Sequence, residues 1–264
     1  MLEIKNIYKS FGNLQVLKDI SISIGKGEIA AIVGPSGAGK TTLLQIAGTL
    51  EKPDSGSVRF NGTELIGMKD KKLSAFRNSN MGFVFQFHQL LPEFTAQENV
   101  ALPALIAGSS KKKAMEKAAD LLTQLGLAER MHHKPAAMSG GERQRTAIAR
   151  ALINDPEIIF ADEPTGSLDS TNRQEIQDIF VDLRDRLGQT VVMVTHDASL
   201  AAIADRVIEM ADGKVLPPAI EVEFDTVDVD EDESFPVIDA LDAGGDGGQD
   251  FVGDGVEEIR EAVN

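Results

Sequence analysis

Gly34-Pro35-Ser36-Gly37-Ala38-Gly39-Lys40-Thr41-Thr42 is the stretch whose reading decides the fold. Ile29-Ala30-Ala31-Ile32-Val33 precedes it, short and apolar as a buried strand is, and Leu43-Leu44-Gln45-Ile46-Ala47 follows as the first turns of a helix. The pattern G-x-x-x-x-G-K-[ST] between a strand and a helix is a phosphate-binding P-loop in its confirming context. Residues without Cβ let the backbone curl so that successive N–H groups point inward at phosphate oxygens. The helix that follows adds its positive dipole end at the same spot. Lys40 supplies a point charge for the β- and γ-phosphates, and the Thr41 hydroxyl is placed to ligate Mg²⁺. These residues predict a chain that binds a nucleoside triphosphate.

Outward from this loop, the bulk composition divides the chain. Of 264 residues 42 are acidic and 26 basic, for a formal charge of -16. From Pro217 to Asn264 there are 16 acids against one base, Arg260, so this stretch carries -15 and the first 216 residues only -1. A near-neutral body offers no bulk electrostatic case for a nucleic-acid partner. The absence of cysteine removes disulfides, thiolate zinc sites and cysteine nucleophiles. Met1-Leu2-Glu3-Ile4-Lys5 lacks the basic-then-apolar order of a signal peptide, and no run approaches the ~18 apolar residues of a membrane span. The expectation is a cytosolic chain without direct membrane insertion.

Residues 2–33 alternate in short apolar bursts punctuated by Gly12-Asn13 and Gly25-Lys26-Gly27, which predicts a hairpin-rich β opening. Gly56 to Phe60 continues that sheet through the Asn61-Gly62 turn. Gly82 to Gln86 reads as a buried strand. From about 87 to 155 the pattern turns helical: Thr95-Ala96-Gln97-Glu98 and Ser139-Gly140-Gly141-Glu142 fit the capping box, and Lys112 to Leu125 stops at Gly126. Strands at Ile158–Ala161 and Thr190–Thr195 flank a helix over about Ser170–Leu187, and Asp212-Gly213 turns a closing hairpin. Strands alternating with helices predict a parallel α/β core. Residues 217–264 read as an acidic, disordered tail. Asp228, Asp230 and Asp232 match the start of a calcium loop, but Glu233 replaces its glycine and Asp239 its bidentate glutamate, which argues against one.

Three further stretches select the kind of NTPase. Ile158-Ile159-Phe160-Ala161-Asp162-Glu163 is an apolar strand ending in two carboxylates. It sets Asp162 beside a Mg²⁺ held by Thr41, and Glu163 to polarise the attacking water. Ser139 with Gly140 and Gly141 heads a helix as a second anion site in the same chain. His196 ends another core strand, where a lone histidine is by itself more often structural than functional.

Together these stretches resemble the ATP-binding cassette family over about residues 2–216. Lys40 and Thr41 lie in the Walker A loop, Asp162 and Glu163 in Walker B, and Gln86 in the Q-loop. Ser139 to Glu142 match the signature, Ser167-Leu168-Asp169 the D-loop and His196 the switch histidine. Met138, Glu142 and Phe11 stand where Leu, Gln and Tyr are usual, with Tyr8 near the adenine-stacking position. The resemblance implies a RecA-like core with an N-terminal antiparallel β subdomain and an inserted helical subdomain. It also implies ATP and Mg²⁺, with Gln86 on the metal. In that family two cassettes close head to tail, each ATP lying between one chain's P-loop and the other's Ser139, Gly140, Gly141 and Glu142, with Asp169 near it.

Phe85 to Pro103 looks most like the cassettes of lipoprotein-releasing (LolD-type) systems, and is close to macrolide-exporter and FtsE-type cell-division cassettes. That resemblance implies integral permease subunits of the LolC/LolE kind and a place on the cytoplasmic face of the bacterial inner membrane. Phe87, Leu90, Leu91 and Phe94 are read as an apolar groove beside Gln86 for a short permease helix. Translation-factor and DNA-repair cassettes are disfavoured, because no second cassette and no coiled-coil insertion occurs here.

Overall fold

Two sheets share the strands, and the P-loop lies where they meet. In the computed structural model residues 1–217 are described; the acidic alternation, the glycine-rich stretch and the rejected calcium loop lie outside them. The antiparallel sheet has the order β2-β1-β4-β5, built from β1 (Leu2–Phe11), β2 (Leu14–Ile24), β4 (Ser55–Phe60) and β5 (Thr63–Glu64). The second sheet comprises β3 (Ile29–Val33), β6 (Met81–Phe85), β7 (Ile158–Asp162), β8 (Thr190–Val194), β9 (Arg206–Ala211) and β10 (Lys214–Val215), in the order β10-β9-β3-β8-β7-β6. All its pairs are parallel except β9 with β10.

The central strands are apolar throughout because both faces are covered. Ala30 and Ile32 of β3 face one core with Leu17, Ile20 and Leu43, while Ile29 and Ala31 face another with Ile176, Phe180 and Leu200. The first core joins the antiparallel sheet to α1 (Lys40–Ala47); the second lies under α5 (Gly140–Leu152) and α6 (Ser170–Leu187). A third core binds α3 (Ala96–Ile106), α4 (Lys111–Gln124) and α5 through Val100, Ala118, Leu122 and Ile153. Both capping boxes form: Thr95 with Glu98 opens α3, and Ser139 with Glu142 opens α5. Gly126 (φ 71°) follows the end of α4 and Gly188 (φ 62°) caps α6, conformations that glycine adopts without strain.

Two expectations need correction. Gly25-Lys26-Gly27 turns no hairpin; it carries the chain from one sheet to the other, where β3 takes β8 and β9 as neighbours. A further helix, α2 (Asp70–Asn80), precedes β6, and a single turn, α7 (Ala198–Ala201), follows β8. Phe87, Leu91 and Phe94 of the expected docking groove are exposed, and a separate cavity lies beside them. A cavity of about 640 Å³ between the core and the helical layer is lined by Leu50, Met81, Phe83, Phe85, Pro103 and Ile106, together with polar Ser74, Arg77 and Arg150. Phe87, Leu90, Leu91 and Phe94 are not among its walls. Left-handed backbone at His88 (φ 57°) and Gln89 (φ 49°) reverses the chain after Phe87, which is left 78% exposed. Among the described residues, no helix is long and apolar enough to cross a membrane.

Candidate nucleotide site

Steric need fixes the glycines of the P-loop. Gly34 has φ 143°, and a Cβ there would sit 2.0 Å from the Met210 carbonyl oxygen. At Gly39 (φ 96°) a Cβ would come 2.8 Å from Leu17 Cδ2 and 3.0 Å from the Val16 carbonyl oxygen. The loop is thus pressed against β9 and β2, and only backbone fits. Gly39 is the N-cap of α1, with no side-chain cap and no acid in the first turn, so the helix opens with its N–H donors unclaimed by side chains. Lys40 is buried, and its Nζ donates to the carbonyls of Gly34 (2.8 Å) and Pro35 (2.9 Å), which holds the ammonium over the loop. Ser36, Gly37, Ala38 and Thr42 complete this cradle of backbone amides and one cation, the donor set a polyphosphate requires, while Pro35, which has no N–H, gives only its carbonyl to Lys40.

Strand register delivers the acidic groups. Asp162, the last residue of β7, lies level with Phe85 on β6 and Val194 on β8. Its Oδ1 accepts from the Thr41 hydroxyl at 3.0 Å. Burial pushes the Asp162 carboxyl above its usual range; the Thr41 bond opposes this, the Glu163 charge adds to it, and Lys40 pulls it back. A carboxylate and a hydroxyl side by side are the hard oxygen donors Mg²⁺ prefers. The ion takes only one or two protein carboxylates when substrate phosphates and water complete its shell, so the residues fit it. Among the described residues, no cluster of three or more His, Asp or Glu offers an all-protein metal cage.

Glu163 turns the chain sharply, with φ 46°, and its amide donates to the Val194 carbonyl at 2.9 Å. Its Oε1 lies 2.7 Å from His196 Nδ1, and its Oε2 accepts from the buried Thr195 hydroxyl at 3.4 Å. Lys40, Thr41, Asp162, Glu163 and His196 therefore converge at the ends of β3, β7 and β8. Gln86 follows β6; its carbonyl accepts from Ser167 Oγ at 3.2 Å, and its side chain lies over Gly166, where a Cβ would meet Nε2 at 2.9 Å.

The signature residues do not join that cluster within one chain. Ser139 Oγ accepts from the Glu142 amide at 3.2 Å, and the Glu142 carboxylate accepts from the Ser139 amide at 2.7 Å and from Arg130 Nε at 2.9 Å. Glu142 is thus committed to the cap. Gly140 and Gly141 pack on the D-loop side: a Cβ on Gly141 would lie 1.8 Å from Asn172 Oδ1. Asp169 caps α6 by accepting from the Asn172 amide and side chain at 2.9 and 2.7 Å, and these bonds, led by the Asn172 amide, hold its carboxyl low. Phe11, 49% exposed at the tip of the β1–β2 hairpin, has Lys9 Nζ 4.9 Å from its ring centre; Tyr8 is 36% exposed. Arg150 was not anticipated from sequence. Its guanidinium donates to the His88 (2.8 Å) and Gln89 (2.6 Å) carbonyls, clamping the segment after Gln86 to α5. Its partners are backbone atoms, so no residue pattern announces it.

Residues 17–166 match the ABC transporter family model. The chain belongs to the ABC transporter ATP-binding family. Within that family the cassette is 62% identical, over 215 residues, to a lipoprotein-releasing system ATP-binding protein, LolD, of Bacteroides thetaiotaomicron, covering 81% of this chain and 99% of that one. A LolD of Porphyromonas gingivalis is 57% identical over 213 residues, covering 81% of this chain and 97% of that one. A solved dimeric ATP-binding cassette, bound to ADP and Pi in a post-hydrolysis state, superposes with a TM-score of 0.77 at 39% identity, covering 82% of this chain and 97% of that one. The cassette is therefore a LolD-type, P-loop ATPase subunit.

Proposed function

We propose that this ATPase powers lipoprotein release from the inner membrane towards the outer membrane through a permease partner, working as a homodimer on the cytoplasmic face. The 62% identity to a LolD protein across 99% of that protein's length carries the assignment. The contacts of the signature support the dimer: Ser139, Gly140 and Gly141 meet Glu142, Leu168 and Asn172, and none of the bonds of these residues is to the P-loop of the same chain. The likeness to a dimeric cassette bound to ADP and Pi agrees with it.

In this reading the P-loop amides and Lys40 bind and neutralise the β- and γ-phosphates. Phe11 takes the adenine face. Thr41, Asp162 and Gln86 would hold Mg²⁺, which when bound supplies Lewis-acid neutralisation of phosphate charge. Glu163 accepts the proton of the attacking water, while His196, bonded to Glu163, orients that carboxylate and senses the γ-phosphate. The partner protomer's signature closes the site by presenting backbone N–H groups to the same phosphates.

The cavity walled by Leu50, Phe83, Phe85 and Ile106 is the seat for a short permease helix, an amphipathic helix in an apolar groove. Its wall runs into β6, which ends at Phe85 next to Gln86, so a helix seated there pushes on a nucleotide-site residue. Purification from membranes tests the assignment. A permease with a bound lipoprotein should copurify, and Phe85→Glu should release it. Recovery of a different permease class, or of none, refutes it.

A further inference from the structure

The chain segments that adjoin two walls of that cavity are rich in exposed lysine, although no lysine lines the cavity itself. On one side α2 contributes Ser74 and Arg77 to the wall, and one turn earlier Lys69, Lys71 and Lys72 are all exposed. On the other side α3 ends at Ile106, 75% exposed, and the next seven residues, Ala107 to Lys113, are also exposed, closing on Lys111, Lys112 and Lys113. The two sides touch, for Asn78 Nδ2 donates to the Pro103 carbonyl at 3.1 Å. Elsewhere among the described residues Lys5, Lys9, Arg59, Lys117, Arg130 and Arg206 each pair with a carboxylate, and the lysines that do not, such as Lys18, Lys26 and Lys214, stand singly in the sequence and not in runs. Among the described residues Lys69, Lys71, Lys72, Lys111 and Lys113 pair with none, and Lys112 reaches Glu116 only at 4.0 Å.

Unmatched lysines beside exposed apolar side chains, Ile106 and the 45% exposed Leu50, are the composition of a surface made for an anionic bilayer. The first 216 residues carry only -1, so bulk charge does not draw the cassette to an anionic bilayer and a local cluster of lysines would have to do so. Charges beyond ~10 Å are screened at 0.1 M salt, whereas lysines in contact with headgroups are not. We propose that the lysine lips of this cavity rest on anionic lipid headgroups and orient the groove towards the membrane. The orientation rests on the permease reading above, since a permease helix enters from the bilayer side; the lipid contact itself does not need the permease.

Flotation of the full chain with protein-free vesicles of phosphatidylcholine, with and without phosphatidylglycerol, tests it. Binding should require phosphatidylglycerol and weaken as salt rises. Replacing Lys111, Lys112 and Lys113 by Gln together, or Lys69, Lys71 and Lys72 by Gln together, should each lower the partition coefficient about a hundredfold. Replacing Lys18, Lys26 and Lys214 by Gln should leave it unchanged, and ATP binding should be unaltered in all three proteins as a check on folding. The proposal is overturned by equal binding to neutral vesicles, by no binding to anionic ones at low salt, or by losses no greater than the control's. Lip variants that keep vesicle binding but no longer copurify with a membrane protein also overturn it, assigning the lysines to an acidic protein segment. Because the vesicles hold no protein, failure of the permease reading shows separately, as absence of a copurifying permease.

Discussion

Glu163→Gln isolates the chemistry from the scaffold. Gln keeps an oxygen that can accept from His196 Nδ1, now 2.7 Å from Oε1, and keeps the amide bond to the Val194 carbonyl. The left-handed φ of 46° is no worse for Gln than for Glu, so the fold should lose no more than about 1 kcal/mol. What disappears is the capacity to accept a proton. Removing a general base costs about 10²–10⁴ in rate, which at about 1.36 kcal/mol per decade is roughly 2.7–5.4 kcal/mol on the barrier. The chemical effect therefore exceeds the structural one. Single-turnover hydrolysis should fall by that factor while equilibrium ATP binding stays within about twofold, and size-exclusion chromatography with ATP should show an accumulated dimer. Turnover within a few-fold of the parent, or a loss that follows lost ATP binding, would refute the assignment of the base. His196→Ala gives the comparison: it should leave a smaller but measurable defect, since the histidine acts through the carboxylate.

Asp162→Asn should raise the melting temperature in Mg²⁺-free buffer while abolishing Mg²⁺-dependent hydrolysis, because burial disfavours the carboxylate charge. The sign follows from the raised pKa: protonated Asp162 favours the fold, fully so below the unfolded value near 3.8, and that gain is lost as pH rises through the folded value. The melting-temperature difference between parent and variant should therefore shrink as pH is lowered. Gly141→Ala places a methyl 1.8 Å from Asn172 Oδ1, so that oxygen must retreat about 1.6 Å to reach ordinary contact at 3.4 Å. Hydrolysis should fall about tenfold or more with ATP affinity kept, and adding Asn172→Ala should recover part of the rate in a steady-state assay. Arg150→Ala strips the His88 and Gln89 carbonyls of their donor and should cost about 2–3 kcal/mol by urea unfolding, with Arg150→Lys recovering part of it.

Much of the fold was legible because its signals are local. The two capping boxes, the glycine after α4 and the run from Ser170 to Leu187 state their own element boundaries, and the structure draws them there. The elements that went unread lack such signals. α2 has no fully buried residue; its hold on the core is Leu73 and Phe76, the latter packed edge-on against Phe60 at 5.6 Å, too short an apolar stripe to announce a helix. The β2–β3 connection looked like a hairpin because Gly25-Lys26-Gly27 has turn chemistry, yet strand pairing is decided by partners over 150 residues away. The same distance explains the site. Each acidic group is visible at the end of its own strand, but Arg150 and Asn172 act on backbone and side chains brought near only by the fold. The turn after Phe87 was not legible because nothing in Phe87-His88-Gln89 signals two successive left-handed residues.

The strand order has a consequence for biosynthesis. β3, which delivers the phosphate loop, ends at Val33, yet its two lateral neighbours are β8, starting at Thr190, and β9, ending at Ala211. Gly34 is also backed by the Met210 carbonyl. During translation the nucleotide-gripping strand therefore emerges early with both edges unpaired and waits for nearly the whole cassette before it is walled in. A nascent chain arrested before Met210 should not retain ATP, and the open edges of β3 make that interval the one in which a chaperone matters most.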